Sequence, residues 1–264
     1  MNFRPLRCAA ARRKSLKVNP LGQLRGIVPL LLLSVALSVN SAQGSLVFVG
    51  LVPGGGAGIG TSNVVLTVHS GQDGLETGCV SWNGSTDVIG SAACPSTGIS
   101  PPILGGDEST GSSQTQTRSV TDTGVLTAQY LTVILNANEP SGNAIQVENL
   151  VLTIYDSGGT LLWTSGNMNP QPINITNSNQ GQGNLGFGFV LDSAQAAAAD
   201  PYISCVTCAS NRFGLGASLS NAQGSNETFS IVYVVPEPFT MLTAAAGLAA
   251  LCLLGRYRRA NAKG

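Results

Sequence analysis

Four cysteines, one histidine, one glycine-rich run and a few paired acids are the residues of this chain whose types and spacing could do chemistry. Cys79, Cys94, Cys205 and Cys208 lie in its central part, apart from Cys8 and Cys252 in the terminal segments. The Cys205-Val206-Thr207-Cys208 spacing fits a local disulfide, a redox pair or half of a zinc site. A redox pair wants a thioredoxin-like βαβ setting and zinc wants a second close pair or histidines, and the sequence shows neither. Structural disulfides are therefore expected. Three pairings are possible for four cysteines, and local pairing is the one expected. Cys79 with Cys94 would close a loop of about 16 residues, worth about 3 kcal/mol on the chain-entropy account, whereas Cys205 with Cys208 closes almost nothing and acts as a local clip.

His69 is the only histidine, so a Ser-His-Asp or Cys-His centre would have to be built on it. It closes the apolar run 64–69, where a surface histidine at a strand end is the simpler expectation. Gly54-Gly55-Gly56-Ala57-Gly58-Ile59-Gly60-Thr61-Ser62 approaches a phosphate-binding loop, but Thr61 stands where the lysine belongs, so no cation reaches the terminal phosphates. Asp73, Glu76, Asp107, Glu108 and Asp156 offer oxygens to Ca²⁺ without the DxDxDG run. A carboxylate pair for glycoside hydrolysis is possible in principle, yet no pair stands out; Trp82, Trp163 and the tyrosines would supply a shallow sugar platform at most. No cofactor and no metal are expected, and no catalytic residues are assigned.

The elements that must carry these residues are short strands. Apolar and β-branched runs at 64–69, 126–135, 150–155, 185–191 and 229–234 are separated by Gly, Asn, Asp and Ser clusters. Phe229, Ile231 and Tyr233 alternate along one face. Asp156-Ser157-Gly158-Gly159 reads as the turn of a hairpin pairing 150–155 with 160–164. Asp192 is a good helix N-cap before an alanine-rich stretch that Pro201 ends. An all-β fold is expected over 45–235, an antiparallel β-sandwich with one short helix. The stretch 105–124 lacks apolar periodicity and reads as a long exposed Ser/Thr-rich loop open to O-linked sugar. Asn83, Asn174 and Asn226 open Asn-x-Ser/Thr triplets, which matter only in a host that glycosylates asparagine.

Charge narrows the function classes. The 264-residue chain has 13 basic and 13 acidic residues, but they are segregated. Residues 1–44 carry seven cations and no acid, while 45–235 carry 12 acids against Arg118 and Arg212 alone. A domain this acidic excludes nucleic acid and anionic lipid as partners for that part.

Both ends read as addresses. The basic leader, the apolar stretch Ile27 to Val39 and the small polar exit 40–44 have the layout of a signal peptide, with cleavage expected after Gly44 and Ala42 three positions back. Translocon and signal peptidase are the partners this implies. At the other end, Pro236-Glu237-Pro238 precedes the uncharged stretch Phe239 to Leu254 and then Arg256, Arg258 and Arg259. Sixteen residues of helix rise about 24 Å against a hydrocarbon core of about 30 Å. Its strongly apolar residues favour insertion by only about 2 to 4 kcal/mol, a brief hold on the inner membrane through 239–254.

These three ordered features resemble the PEP-CTERM sorting signal of exported Gram-negative bacterial proteins, over the last 25 to 30 residues or so. The resemblance implies processing by an exosortase, a membrane-embedded cysteine peptidase, and an association with exopolysaccharide. It assigns sorting to residues 236–259 and leaves the activity of 45–235 open. The expectation is a non-enzymatic structural or adhesive protein of the cell surface or biofilm matrix, held transiently at the inner membrane. A Ca²⁺- or polysaccharide-binding module is the alternative, and a secreted glycoside hydrolase a further one.

Overall fold

The computed structural model describes residues 45–53, 63–69, 74–111, 113–137, 144–176, 185–223 and 226–235. The signal peptide with Ala42 and Gly44, the glycine run 54–62, Asp73, and the sorting tail with Pro236, Glu237, Pro238, Arg256, Arg258 and Arg259 lie outside the described residues. Among the described residues no helix is long and apolar enough to cross a membrane.

Two antiparallel sheets make up the domain. The first contains β1 (Leu46–Pro53), β10 (Leu185–Leu191), β6 (Leu131–Asn136), β12 (Glu227–Tyr233) and β2 (Val64–Val68), in that spatial order. The second runs β4 (Asp87–Ile89), β3 (Leu75–Trp82), β11 (Arg212–Ser220), β7 (Ala144–Tyr155), β8 (Leu161–Thr164). The two-residue β5 (Arg118–Ser119) joins β11, and β9 (Ile173–Thr176) joins β7.

Alternation puts one side chain in two into a shared interior: Val133, Leu135, Phe189 and Phe229 from the first sheet meet Leu150, Leu152, Phe213 and Leu215 from the second. In β7 the inward set changes parity. Ile145 and Val147 are buried in that interior, and so are Leu150, Leu152 and Ile154, because the register against β11 slips where Leu219 faces Val147 and Ser218 faces Asn149. The extra residue, Glu148, is a β-bulge that preserves an apolar inner face across all 12 residues of the strand.

The expected hairpin forms, with Thr153 opposite Thr164 and Ile154 opposite Trp163. The expected helix is α2 (Ser193–Ala199), capped by Asp192, whose carboxylate accepts the Ala194 and Gln195 N–H groups at 2.8 and 2.9 Å. Three expectations need correction. The run 126–135 is strand only from Leu131, since Ala128–Tyr130 turns as a 3₁₀ segment. A second helical turn, α1 (Val120–Thr123), forms because Ser119 and Asp122 make a reciprocal capping box. That turn lies inside 105–124, which is not a solvated loop but a connector threaded along the sandwich, with Thr115, Thr117, Val120 and Thr123 buried.

A second apolar cluster covers the outer face of the β4–β8 sheet. Ala93, Ile103 and the partly buried Val88, Cys94 and Ile99 lie over Cys79 and Val151. Gly216 lets this cover sit close: a Cβ there would stand 3.2 Å from both Ile103 Cδ1 and Pro95 Cδ, so they would have to shift by a few tenths of an ångström.

Candidate functional site

The connector closes the seam between β2 and β3 with the acids considered above as calcium ligands. Asp107 accepts the Thr77 N–H at 2.8 Å, and Glu108 accepts the Cys79 N–H at 2.6 Å and the Gly106 N–H at 3.0 Å. Thr77 and Cys79 alternate along the edge of β3 that β4 leaves uncovered, so the carboxylates stand in for a missing strand. On the β2 side the connector bonds His69, Thr67 and Val65 in turn, through Asp107 O, the Ser109 N–H and the Gln116 N–H. The edge of β2 and the bare part of β3 are thereby covered. Asp156 is likewise occupied, accepting the Thr160 N–H at 2.8 Å in the hairpin turn, a bond that holds its pKa below the ordinary carboxylate range. Among the described residues no group of three or more His, Cys, Asp and Glu could hold a metal ion.

The domain's two cations serve the same connector. Arg212 donates to Thr117 Oγ1 at 2.6 Å and Thr117 O at 2.8 Å, approaches Asp87 at 4.0 Å, and stacks on Trp82 with its guanidinium carbon 4.2 Å from the ring centroid. The Thr117 hydroxyl in turn donates to Asp87, which also accepts the Thr117 N–H at 3.0 Å. Arg118 donates to Val64 O at 2.9 Å. Desolvation lowers its pKa, opposed by Asp122 and Asp87 and reinforced by Arg212, but an arginine keeps its charge regardless. With Arg212 over its ring and its Nε1 donating to Ser157 O at 3.0 Å, Trp82 pins one hairpin to another. Trp163 packs against the interior three strands away. The two indoles do not come together as an open sugar platform.

His69 stands at the end of β2, partly exposed, with Nδ1 4.0 Å from Glu76 Oε1. Glu76 itself is buried, as is Glu227 on the inner face of β12. A buried carboxylate is the orienting member of a nucleophile–base–acid chain, but among the described residues no hydroxyl or thiol is bonded to the His69 ring. Glu227 went unnoticed in the sequence, where an acid next to a strand reads as solvated.

Asn83 carries an Asx turn: its Oδ1 accepts the Ser85 and Thr86 N–H groups at 2.9 Å, and its Nδ2 donates to Thr86 Oγ1 at 3.1 Å. The nitrogen a glycan would need is thus engaged, whereas Asn174 is exposed on β9.

Both expected disulfides form. Cys79–Cys94 is buried on the Cys79 side beneath the 90–105 cover, and Cys205–Cys208 closes a surface turn after α2. Two disulfides suit an oxidising compartment. The two ends of the domain lie at the same end of the first sheet: Ser45 donates to Asp192 at 2.7 Å at the start of α2, Ala128 donates to Asp200 at its end, and Val234 donates to Tyr130 O at 2.9 Å. Partial burial disfavours the charged form of Asp192, but three N–H donors, from Gln195, Ser45 and Ala194, together hold its pKa below the ordinary value.

Fold and cross-links define a disulfide-stapled antiparallel β domain of sandwich form. Comparison of the chain with protein-family models, with curated proteins and with solved structures finds no match to any of them.

Proposed function

We propose that this chain is an exported bacterial surface protein, sorted by an exosortase through a PEP-CTERM tail, whose β-sandwich is a rigid acidic module of the cell surface or biofilm matrix with a structural or adhesive rather than enzymatic role. The observation that carries the proposal is the order of features after β12: Pro236-Glu237-Pro238, sixteen uncharged residues, then Arg256, Arg258 and Arg259. The two disulfides support export, since such bonds persist in oxidising compartments. A shared end for Ser45 and Val235 supports a domain standing on a single membrane-proximal face. The structural use of Asp107, Glu108, Asp156, Arg118 and Arg212 supports a scaffold, because these groups spend their charge on backbone and turn contacts.

Intact mass and fractionation in an exosortase-bearing host test this. Wild type is expected outside the inner membrane without residues 1–44 and without the apolar tail, and Glu237→Ala is expected to accumulate in the membrane at full tail length. A wild type that retains 239–264 in the membrane would sink the proposal.

A further inference from the structure

The geometry points to Cys205–Cys208 as a thiol-exchange site, a reversible covalent tether for a protein thiol flanked by apolar residues. As a staple this bond is redundant. The turn it spans is already held by Ile203 and Ser204 N–H groups on Asp200 O, by the Cys208 N–H on Cys205 O, and by the Asn211 N–H on Cys208 O. Side chains add to this: Ser204 Oγ donates to Asp200 Oδ2 at 2.6 Å, Asn211 Nδ2 to Tyr202 O at 2.9 Å, and Thr121 Oγ1 to Ala209 O at 3.0 Å. None of these bonds involves a sulfur, so the turn keeps its shape when the disulfide opens.

The two sulfurs are unequal. Cys205 is exposed and Cys208 is 3% exposed, so an incoming thiolate reaches Cys205. The buried sulfur also has a neighbour suited to the opened form: Pro201 O, 3.4 Å from Cys208 Sγ, can accept from a thiol there. In the exchange, the partner's thiolate attacks Cys205 Sγ, forming a partner–Cys205 disulfide as the Cys205–Cys208 bond breaks. The electron pair leaves on Cys208 Sγ, which takes a proton from water and donates it to Pro201 O. The oxidising equivalent is the disulfide itself, and return of Cys208 as a thiolate expels the partner.

The groove beside Cys205 selects the partner. It encloses about 350 Å³ and is lined by uncharged residues, among them Val120, Val125, Leu126 and Ile203. Leu126 is 65% exposed, and Val206, between the cysteines, is 99% exposed. An apolar segment carrying the thiol would cover this surface, whereas a small charged thiol would not. This site does not require a thioredoxin-like fold, because it exchanges with one partner rather than relaying electrons.

The test uses the full chain under native conditions with two probes: glutathione, and a synthetic peptide bearing one cysteine between leucines. Intact mass and peptide mapping are expected to show one mixed disulfide on Cys205, formed at least about tenfold faster with the peptide at equal thiolate concentration, with Cys79–Cys94 intact. Leu126→Ser, or Val206→Ser at a position too exposed to affect folding, is expected to lower the peptide-to-glutathione rate ratio at least about threefold. Equal rates for the two probes, an adduct on Cys208, no adduct, or loss of the folded signal on opening Cys205–Cys208 would each overturn the proposal.

Discussion

The two disulfides sit in opposite settings. Cys79–Cys94 spans 15 positions and ties the 90–105 cover to the outer face of a sheet, with the Cys79 side chain fully buried. Cys205–Cys208 spans three and ties a turn to itself, with one sulfur in solvent. Around the first, the near end of the cover is held by a small apolar cluster and the Gly90 N–H on Cys79 O, and its far end by Asn149 on Pro101 O, Asn167 on Gly98 O and Gln171 on Ser100 O. Around the second, hydrogen bonds to Asp200 and from Asn211 and Thr121 already fix the backbone. The same covalent bond is thus structural in one place and chemically available in the other, and the difference comes from what surrounds each sulfur.

Replacing both Cys79 and Cys94 by alanine should produce the largest effect. The loss is expected at about 2 to 5 kcal/mol, read as a fall of roughly 10 °C in Tm, because the cover loses its cross-link and the cluster loses buried sulfur. A loss below about 1 kcal/mol would mean the cover is held by packing alone.

An intermediate effect is expected for Asp200→Ala. This carboxylate accepts the Ala128 N–H at 2.9 Å and the Ser204 hydroxyl at 2.6 Å, tying the turn to the 3₁₀ segment before β6. Chemical denaturation should report a loss of about 1 to 2 kcal/mol.

The smallest effect belongs to Cys205→Ser with Cys208→Ser, expected to cost less than Asp200→Ala by the same denaturation, because the turn's hydrogen bonds already restrain the short loop that the disulfide closes. If this pair cost more than Asp200→Ala, the contrast between the two regions would fail, and the second disulfide would be a staple after all.

Much of the fold was legible residue by residue. Alternating Phe229, Ile231 and Tyr233 gave β12, the Asp-Ser-Gly-Gly turn gave the β7–β8 hairpin, and Asp192 with its alanines gave α2. The local disulfide pairing was the expected one of three, but four cysteines do not by themselves decide their connectivity; the fold does. The connector was not legible. Residues 105–119 have no periodicity because their contacts are made by backbone and by polar side chains to edge N–H groups, and neither leaves an apolar pattern. Glu227 and Glu148 were invisible for a related reason. Whether an acid is buried on an inner face or taken up in a bulge depends on the register of neighbouring strands, which is not encoded locally.

Local chemistry therefore set the strand content, the hairpin, the capped helix, the charge segregation and the sorting resemblance of the tail, since each depends on residues close in the chain. Long-range pairing settled the rest. It put Asp107 and Glu108 on the bare edge of β3, placed Arg212 between Trp82 and Thr117, and left one disulfide under a cover and the other in solvent. Those outcomes follow from which surfaces meet when two sheets close on a common interior, and only the assembled sandwich brings the partners within reach.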